Sequence, residues 1–190
     1  MNRPATLLVL LLAGLLAGCG GGSRPTGIRT AETPADDVAE YQPRWRSHTV
    51  DSTQYRKVFL AGTIDMGRSA DWQAALVARF RDSIGGRWLF FNPRRREFHA
   101  SPAEMEYQVA WELAHLEAAD LIVMNLLGDS RSPISLLEMG LYARSGKLFV
   151  ACSPDYYRYD NVRIPCRRYG VPLYDSLTAL LDDLPQQSDE

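Results

Sequence analysis

From Lys57 onward the chain alternates short apolar runs with longer stretches of helical spacing. Val58-Phe59-Leu60-Ala61, closed by Gly62, has the unbroken apolar character of a strand buried on both faces. Residues 70–84 bring Trp72, Leu76, Val77 and Phe80 to one side of a helix, and Gly85-Gly86 stops it. Trp88-Leu89-Phe90-Phe91 predicts a second strand, ended by Asn92-Pro93. Residues 102–118 predict a helix whose core face is Met105, Val109, Leu113 and Leu116. Leu121-Ile122-Val123-Met124 is a third strand. Ser132 stands as an N-cap ahead of Pro133, opening a helix to about Ser145 with Leu137 at the centre of its buried face. Gly146 suits the C-terminal cap. Leu148-Phe149-Val150-Ala151 is a fourth strand, and a short helix (156–169), a strand (171–174) and a last helix (176–184) complete the pattern.

Apolar strands that alternate with helices need cover on both faces, which predicts a parallel sheet. The expected class is therefore α/β: a flavodoxin-like or Rossmann-like three-layer sandwich with roughly five parallel strands. Ligands in such sheets bind beyond the carboxyl ends of the strands. That rule singles out residues 62–67, 92–96, 125–132 and 152–157.

The first residues have a different texture. Arg3 precedes an apolar run from Ala5 to Ala17, too short to span a bilayer, and the run ends Leu16-Ala17-Gly18-Cys19. This resembles a bacterial lipobox, so residues 1–18 are expected to be a signal peptide and Cys19 the acylated N-terminus. Several acyl chains anchor a protein where one is marginal. Gly20 at the following position resembles the signal for outer-membrane sorting in Gram-negative cells. Residues 19–51 are rich in Gly, Pro and Ser and read as a lipid-anchored linker, against which Tyr41, Trp45 and Val50 are placed to dock. Residues 52–190 form the folded domain. The formal net charge of −2 gives no support to binding a nucleic acid polymer. Cys152 and Cys166 remain beside the lipid site, and their spacing does not decide whether they bridge. His48, His99 and His115 lack metal-ligand spacing, so no metal site is expected.

Two carboxylates stand out. Glu138 falls on the flank of its helix, on a ridge with Ser135 and Tyr142. Beside a strand-end cleft such a group serves as nucleophile or electrostatic stabiliser, although spacing alone favours a solvated helix glutamate. Glu112 continues the stripe of Met105, Val109 and Leu116, where it needs either a cationic partner or a raised pKa. Gly62 to Gly67, including Asp65, follows the first strand, where glycine admits close approach of a ligand to the backbone, but the dinucleotide fingerprint is absent. Arg94, Arg95 and Arg96 are a phosphate-binding candidate, against the commoner reading of a solvated loop.

The run from Val58 to Gly67, the Asn92-Pro93-Arg94-Arg95 segment, and the stretch from Ser132 through Glu138 to Lys147 together resemble the nucleoside 2-deoxyribosyltransferase-like family, over about residues 57–170. The resemblance implies a flavodoxin-like fold and cleavage of an N-glycosidic bond without metal or cofactor. It makes Glu138 the nucleophile that captures the sugar, with Met139 where the family carries leucine. Glu112 falls where the transferases carry an aspartate that helps bind base or sugar, and is the candidate proton donor to the leaving base. Gly62 matches a glycine near the sugar, and Asp65 and Asn92 lie in the matching segments. Ser132 matches a serine that contacts phosphate in the monophosphate hydrolases, and Arg94 and Arg131 suit such a substrate. The transferases carry another aspartate at the Ser132 position, so transfer between free nucleosides is put in doubt. The implied partners are a nucleoside or nucleotide, the membrane through Cys19, and further copies of the chain. The alternative is a non-catalytic nucleotide-binding or interaction lipoprotein on the same fold.

Overall fold

The computed structural model describes residues 37–84, 86–97 and 101–184. The signal peptide, Cys19 and most of the expected linker lie outside the described residues. In chain order the elements are β1 (Val38–Gln42), β2 (Trp45–Arg46), β3 (Arg56–Gly62), α1 (Trp72–Ser83), β4 (Trp88–Phe91), α2 (Pro102–Ala118), β5 (Leu121–Leu126), α3 (Pro133–Tyr142), β6 (Leu148–Cys152), α4 (Tyr159–Tyr169), β7 (Leu173–Tyr174) and α5 (Leu177–Asp183).

Seven strands form one sheet in the order β2-β1-β4-β3-β5-β6-β7. All neighbours are parallel except β1 and β2, which pair as an antiparallel hairpin. The five strands expected from the pattern are β3 to β7. Numbered among themselves they run 2-1-3-4-5, the flavodoxin order, whose direction reverses between β3 and β5. The other two strands correct the linker boundary. Val38 to Gln42 add parallel to β4, and Val38, Ala39 and Tyr41 are buried. Composition alone hides this strand, because only three of its residues are apolar and Pro43 and Pro34 flank it.

Alternate strand residues feed two cores. Phe59, Leu89, Ile122 and Met124 point to one side, under α2, α3 and α4. Val58, Leu60, Phe90 and Val123 point to the other, under α1 and α5. On the α1 side the helix faces are as the spacing predicts, with Trp72, Leu76, Val77 and Phe80 buried and Phe80 edge-on to Trp88 and Phe90. On the α2–α4 side the predicted faces are turned. Leu137, expected at the centre of a buried face, is 61% exposed, and Met105, Val109 and Leu113 also face outward, while Leu116 is fully buried. α2 instead rests on Trp111, His115 and Leu116, with His115 stacked on Trp111 and edge-on to Phe91. α3 buries Ser135, Glu138 and Met139. Both helices are apolar on two sides, so hydrophobic spacing selects the wrong one.

Candidate active site

The reversal between β3 and β5 is where the sheet opens a crevice, and Gly62 fixes its floor. Gly62 pairs with Asn125 across the two strands at φ 125°, and a Cβ there would lie 2.2 Å from the Asn125 carbonyl oxygen. Only glycine permits this approach, so its role begins with strand packing rather than with a ligand. Directly after it, Thr63 is buried and its Oγ1 accepts from the Leu127 amide at 3.1 Å. Thr63, Ser130 and Ser132 form a closed triangle of hydroxyls with edges of 2.9, 2.8 and 2.8 Å. Ser132 has left-handed backbone at φ 41° and makes no side-chain bond to the α3 amides. The expected N-cap is therefore absent as a bond; the hydroxyl turns toward Thr63 and Ser130, at the mouth of the crevice.

Glu138 sits on the inner side of α3, only 8% exposed. Among the described residues it has no ion pair and no hydrogen bond. Burial, and then the neighbouring Glu112 carboxylate, push its carboxyl up to about 8. Glu112 reaches in from α2, also raised by burial, with Gln108 Nε2 donating to its Oε1 at 2.7 Å to offset part of that cost. Gln108 is in turn bonded to the Arg95 guanidinium, which pairs with Glu104 at 2.7 Å. The arrangement holds two carboxylates close enough to interact, one of them bare and the other accepting a neutral donor. Two such groups in a low-dielectric crevice share a proton more readily than they both ionise.

The sequence of this region decides the family. The profile of the family described as "Nucleoside 2-deoxyribosyltransferase like" matches residues 55–156, over half of the chain. The chain belongs to this nucleoside 2-deoxyribosyltransferase-like family. A crystal structure of a conserved protein from Enterococcus faecalis V583 is similar, with 15% identity and a TM-score of 0.54, covering 70% of this chain and 99% of the other. At that identity the likeness shows the fold. No curated protein matches the chain.

For this family member, the structure separates the sequence-predicted residues into those at the crevice and those spent elsewhere. Gly62 and Ser132 lie at and beyond the carboxyl ends of β3 and β5, and Glu138 and Glu112 interact between α3 and α2. Arg94 is a structural residue. Its guanidinium donates to the Ser69 carbonyl at 2.7 Å, contacts the carbonyls of Gly67 and Ala70, and lies 3.6 Å from Asp71. It thereby ties down the loop after β3, where Asp65 and Met66 hold φ of 47° and 53°. Asp65 is exposed and paired with Arg68 at 2.9 Å. Asn92 is buried and holds sheet strands together, donating to Glu40 at 2.7 Å and accepting from the Arg94 amide at 3.0 Å. Arg131 is exposed at the start of α3, its carbonyl accepting from Tyr156 at 2.7 Å. Sequence reasoning missed Thr63, Ser130 and Gln108. Thr63 and Ser130 lie inside the segments 62–67 and 125–132 that the strand-end rule marked, without being singled out there; Gln108 was legible four residues before Glu112 on one helix ridge.

Lys147, at the end of the matching motif, has a structural explanation too. Its ammonium donates to the carbonyls of Leu116, Glu117 and Ala119 at 2.6, 3.1 and 3.1 Å, capping the C-terminus of α2. The cap fixes the end of the helix that carries Glu112. Among the described residues no cluster of His, Cys, Asp or Glu is arranged to hold a metal ion. Cys152 and Cys166 are free thiols buried in the α4 side of the core, and burial raises both.

Proposed function

We propose that this protein cleaves or transfers at the N-glycosidic bond of a nucleoside or nucleotide, with Glu138 as nucleophile. One observation carries the reading: Glu138 is a buried carboxylate with no cationic partner among the described residues, set beside a second buried carboxylate. A glutamate kept for helix propensity would be solvated, and one kept for stability would be paired. A buried carboxylate without a cationic partner costs stability, and strongly perturbed groups of this kind cluster at sites that move protons.

The chemistry follows from the pair. Departure of the base leaves oxocarbenium character at the anomeric carbon, which the Glu138 carboxylate stabilises and then captures as a glycosyl ester. The leaving base needs a proton, and the dyad holds one. Glu138 must give up its own proton to attack, and Glu112, raised by burial, is placed to carry it and pass it to the base. Attack on the glycosyl ester by water completes hydrolysis, and attack by a second base completes transfer. The Thr63, Ser130 and Ser132 hydroxyls are sited to meet the polar edge of the sugar or its phosphate. Since Arg94 is spent on the loop, Arg131 is the remaining candidate of the two for a phosphate.

The test uses the full chain with a panel of nucleosides and 5′-monophosphates, free base being resolved by chromatography. Release that disappears in Glu138→Gln supports the reading and names the substrate class. Release retained in that variant removes it. The second reading, a ligand-binding member without turnover, draws on the hydroxyl triangle, whose groups already satisfy one another. Saturable binding of a nucleotide with no base released would favour it.

The chain is further proposed to act at the bacterial cell envelope, anchored through acylated Cys19 after removal of residues 1–18, in the outer membrane facing the periplasm if the cell is Gram-negative. Support comes from the Leu16-Ala17-Gly18-Cys19 sequence. No helix among the described residues is long and apolar enough to cross a membrane. Glycerol-derived lipid on Cys19, read by mass spectrometry of the membrane-extracted protein, is the expected outcome.

A further inference from the structure

Gln108 stands between a cation and the carboxylate pair, and the contacts around its amide agree on one orientation. Its Oε1 accepts from Arg95 Nε, while its Nε2 donates to the Pro93 carbonyl at 3.1 Å and to Glu112 Oε1 at 2.7 Å. Turning the amide over would set oxygen against the Pro93 carbonyl and the Glu112 carboxylate, and NH2 against the guanidinium. In the observed orientation Glu112 Oε1 can only accept. The other oxygen, Oε2, has no hydrogen-bond partner among the described residues.

Arg95 is itself fixed. Its side chain is 8% exposed and donates to Glu104 Oε2 at 2.7 Å and to the Glu104 carbonyl at 3.2 Å, with the guanidinium 5.7 Å from the Tyr107 ring. Glu104 also pairs with Arg44 at 2.7 Å. Two guanidiniums thus share one carboxylate, and one positive charge is left over behind Gln108. The charged and titratable groups that act on the carboxylate pair are few. Arg95 faces Glu112 from the segment after β4, Glu138 faces it from α3, and Tyr142 lies one turn along α3 from Glu138. The strands beneath present Phe59, Ile122 and Met124, which are apolar. The surplus cation and the amide donor therefore both stand on the Glu112 side, and Glu138 has neither.

We propose that Arg95 and Gln108 are positioning residues that keep the resting proton of the pair on Glu138 and leave Glu112 Oε2 as the oxygen that receives it. A donor and a cation favour the ionised form of the carboxylate they face. The resting protein is then asymmetric, with Glu112 as carboxylate and Glu138 as neutral acid. The use of this order in turnover rests on the glycosidic reading. The proton passes from Glu138 to Glu112 Oε2, which frees the Glu138 carboxylate. Its oxygen bonds to the anomeric carbon as the bond to the base nitrogen breaks. The electron pair of that bond stays on the base, which takes the proton from Glu112. Gln108 holds Oε1 throughout, so the proton enters and leaves by a single oxygen.

The order is read without substrate, by carbon-13 resonance of the full chain in detergent, labelled at the glutamate carboxyls. Glu112→Gln and Glu138→Gln assign the two signals. In the wild type the Glu112 signal moves at the lower step and the Glu138 signal near pH 8. Gln108→Met, a neutral isostere without a donor, raises the Glu112 step by about one pH unit, as loss of one hydrogen bond to a charged group does. Gln108→Glu raises it further, since it keeps an acceptor for Arg95 but sets a carboxylate against Glu112. Were Gln108 only a tie between α2 and the segment after β4, Gln108→Glu would be the milder change. A wild type in which Glu138 ionises before Glu112 overturns the proposal. So does a Glu112 step that neither variant moves, or that Gln108→Met moves more than Gln108→Glu. In turnover, the acid limb of kcat/KM shifts to higher pH with the Glu112 step in each variant. An acid limb that stays in place while the carboxyl signal moves overturns the catalytic use of the order. The resonance titration decides the proton's place even where no base is released, an outcome that removes the glycosidic reading alone.

Discussion

The two faces of the sheet are built on opposite rules. Under α1 and α5 the core is apolar, with interlocked aromatic side chains, apart from Gln73 of α1, which is fully buried. Under α2, α3 and α4 the helices turn polar groups inward, among them Glu112, Glu138, Ser135 and Gln108, and carry apolar stripes outward. The first face is what stability alone selects. The second holds two carboxylates against the sheet, Glu138 without a cationic partner among the described residues and Glu112 only partly offset by Gln108 and Arg95, and its outer stripes are unexplained by the fold of one chain.

The largest expected effect sharpens this contrast at the carboxylates. Glu138→Gln lowers base release at least about 1,000-fold in steady-state assays, as loss of a nucleophile does, without loss of fold. Next, Phe80→Ala on the opposite face costs about 3–5 kcal/mol in urea denaturation, through the cavity it leaves among Trp88 and Phe90, yet kcat of the remaining folded protein stays near wild type. A loss of turnover there would break the division of labour between the faces.

A third effect is read in pH. Glu138 is raised to about 8 in the folded protein, first by burial and then by Glu112, from about 4.3 in an unfolded chain. The folded state therefore holds the proton that the unfolded state releases between these values. Its stability is intact below about pH 4.5 and falls as pH rises to about 8, by an amount on the order of 5 kcal/mol. Glu138→Gln removes this loss, so the variant melts above the wild type at pH 8 and level with it at pH 4.5 as far as this group contributes. In turnover, kcat/KM of the wild type falls as pH rises through about 8, where the carboxylate pair loses the proton that the leaving base needs. The smallest effect is Lys147→Ala, which frees the C-terminal carbonyls of α2 and costs about 1 kcal/mol, with a measurable rise in hydrogen exchange at the end of α2.

Much of the fold was legible because local signals agreed with the global arrangement. The strands β3 to β6 are continuous apolar runs, Pro102 and Pro133 open their helices, and Gly62 is required where two strands close on one another. The β1 strand was not legible, since its pairing with β4 depends on a neighbour distant in sequence. Nor were the inner faces of α2 and α3, because hydrophobic spacing assumes that the apolar side is the buried side. At the site, Glu138 and Glu112 were identifiable by position on their helices and by family resemblance. The fate of Arg94 was not, because nothing in a run of three arginines tells that one of them will hold the carbonyls of a loop some 25 residues earlier.

The most direct test of the central claim is to look for the sugar on Glu138. The full chain, acid-quenched during turnover of whichever substrate releases base, would be digested and its peptides mapped by mass spectrometry. The account predicts a pentosyl adduct on the peptide spanning Glu138, absent in Glu138→Gln. Turnover that leaves Glu138 unmodified and proceeds equally in the variant would contradict it.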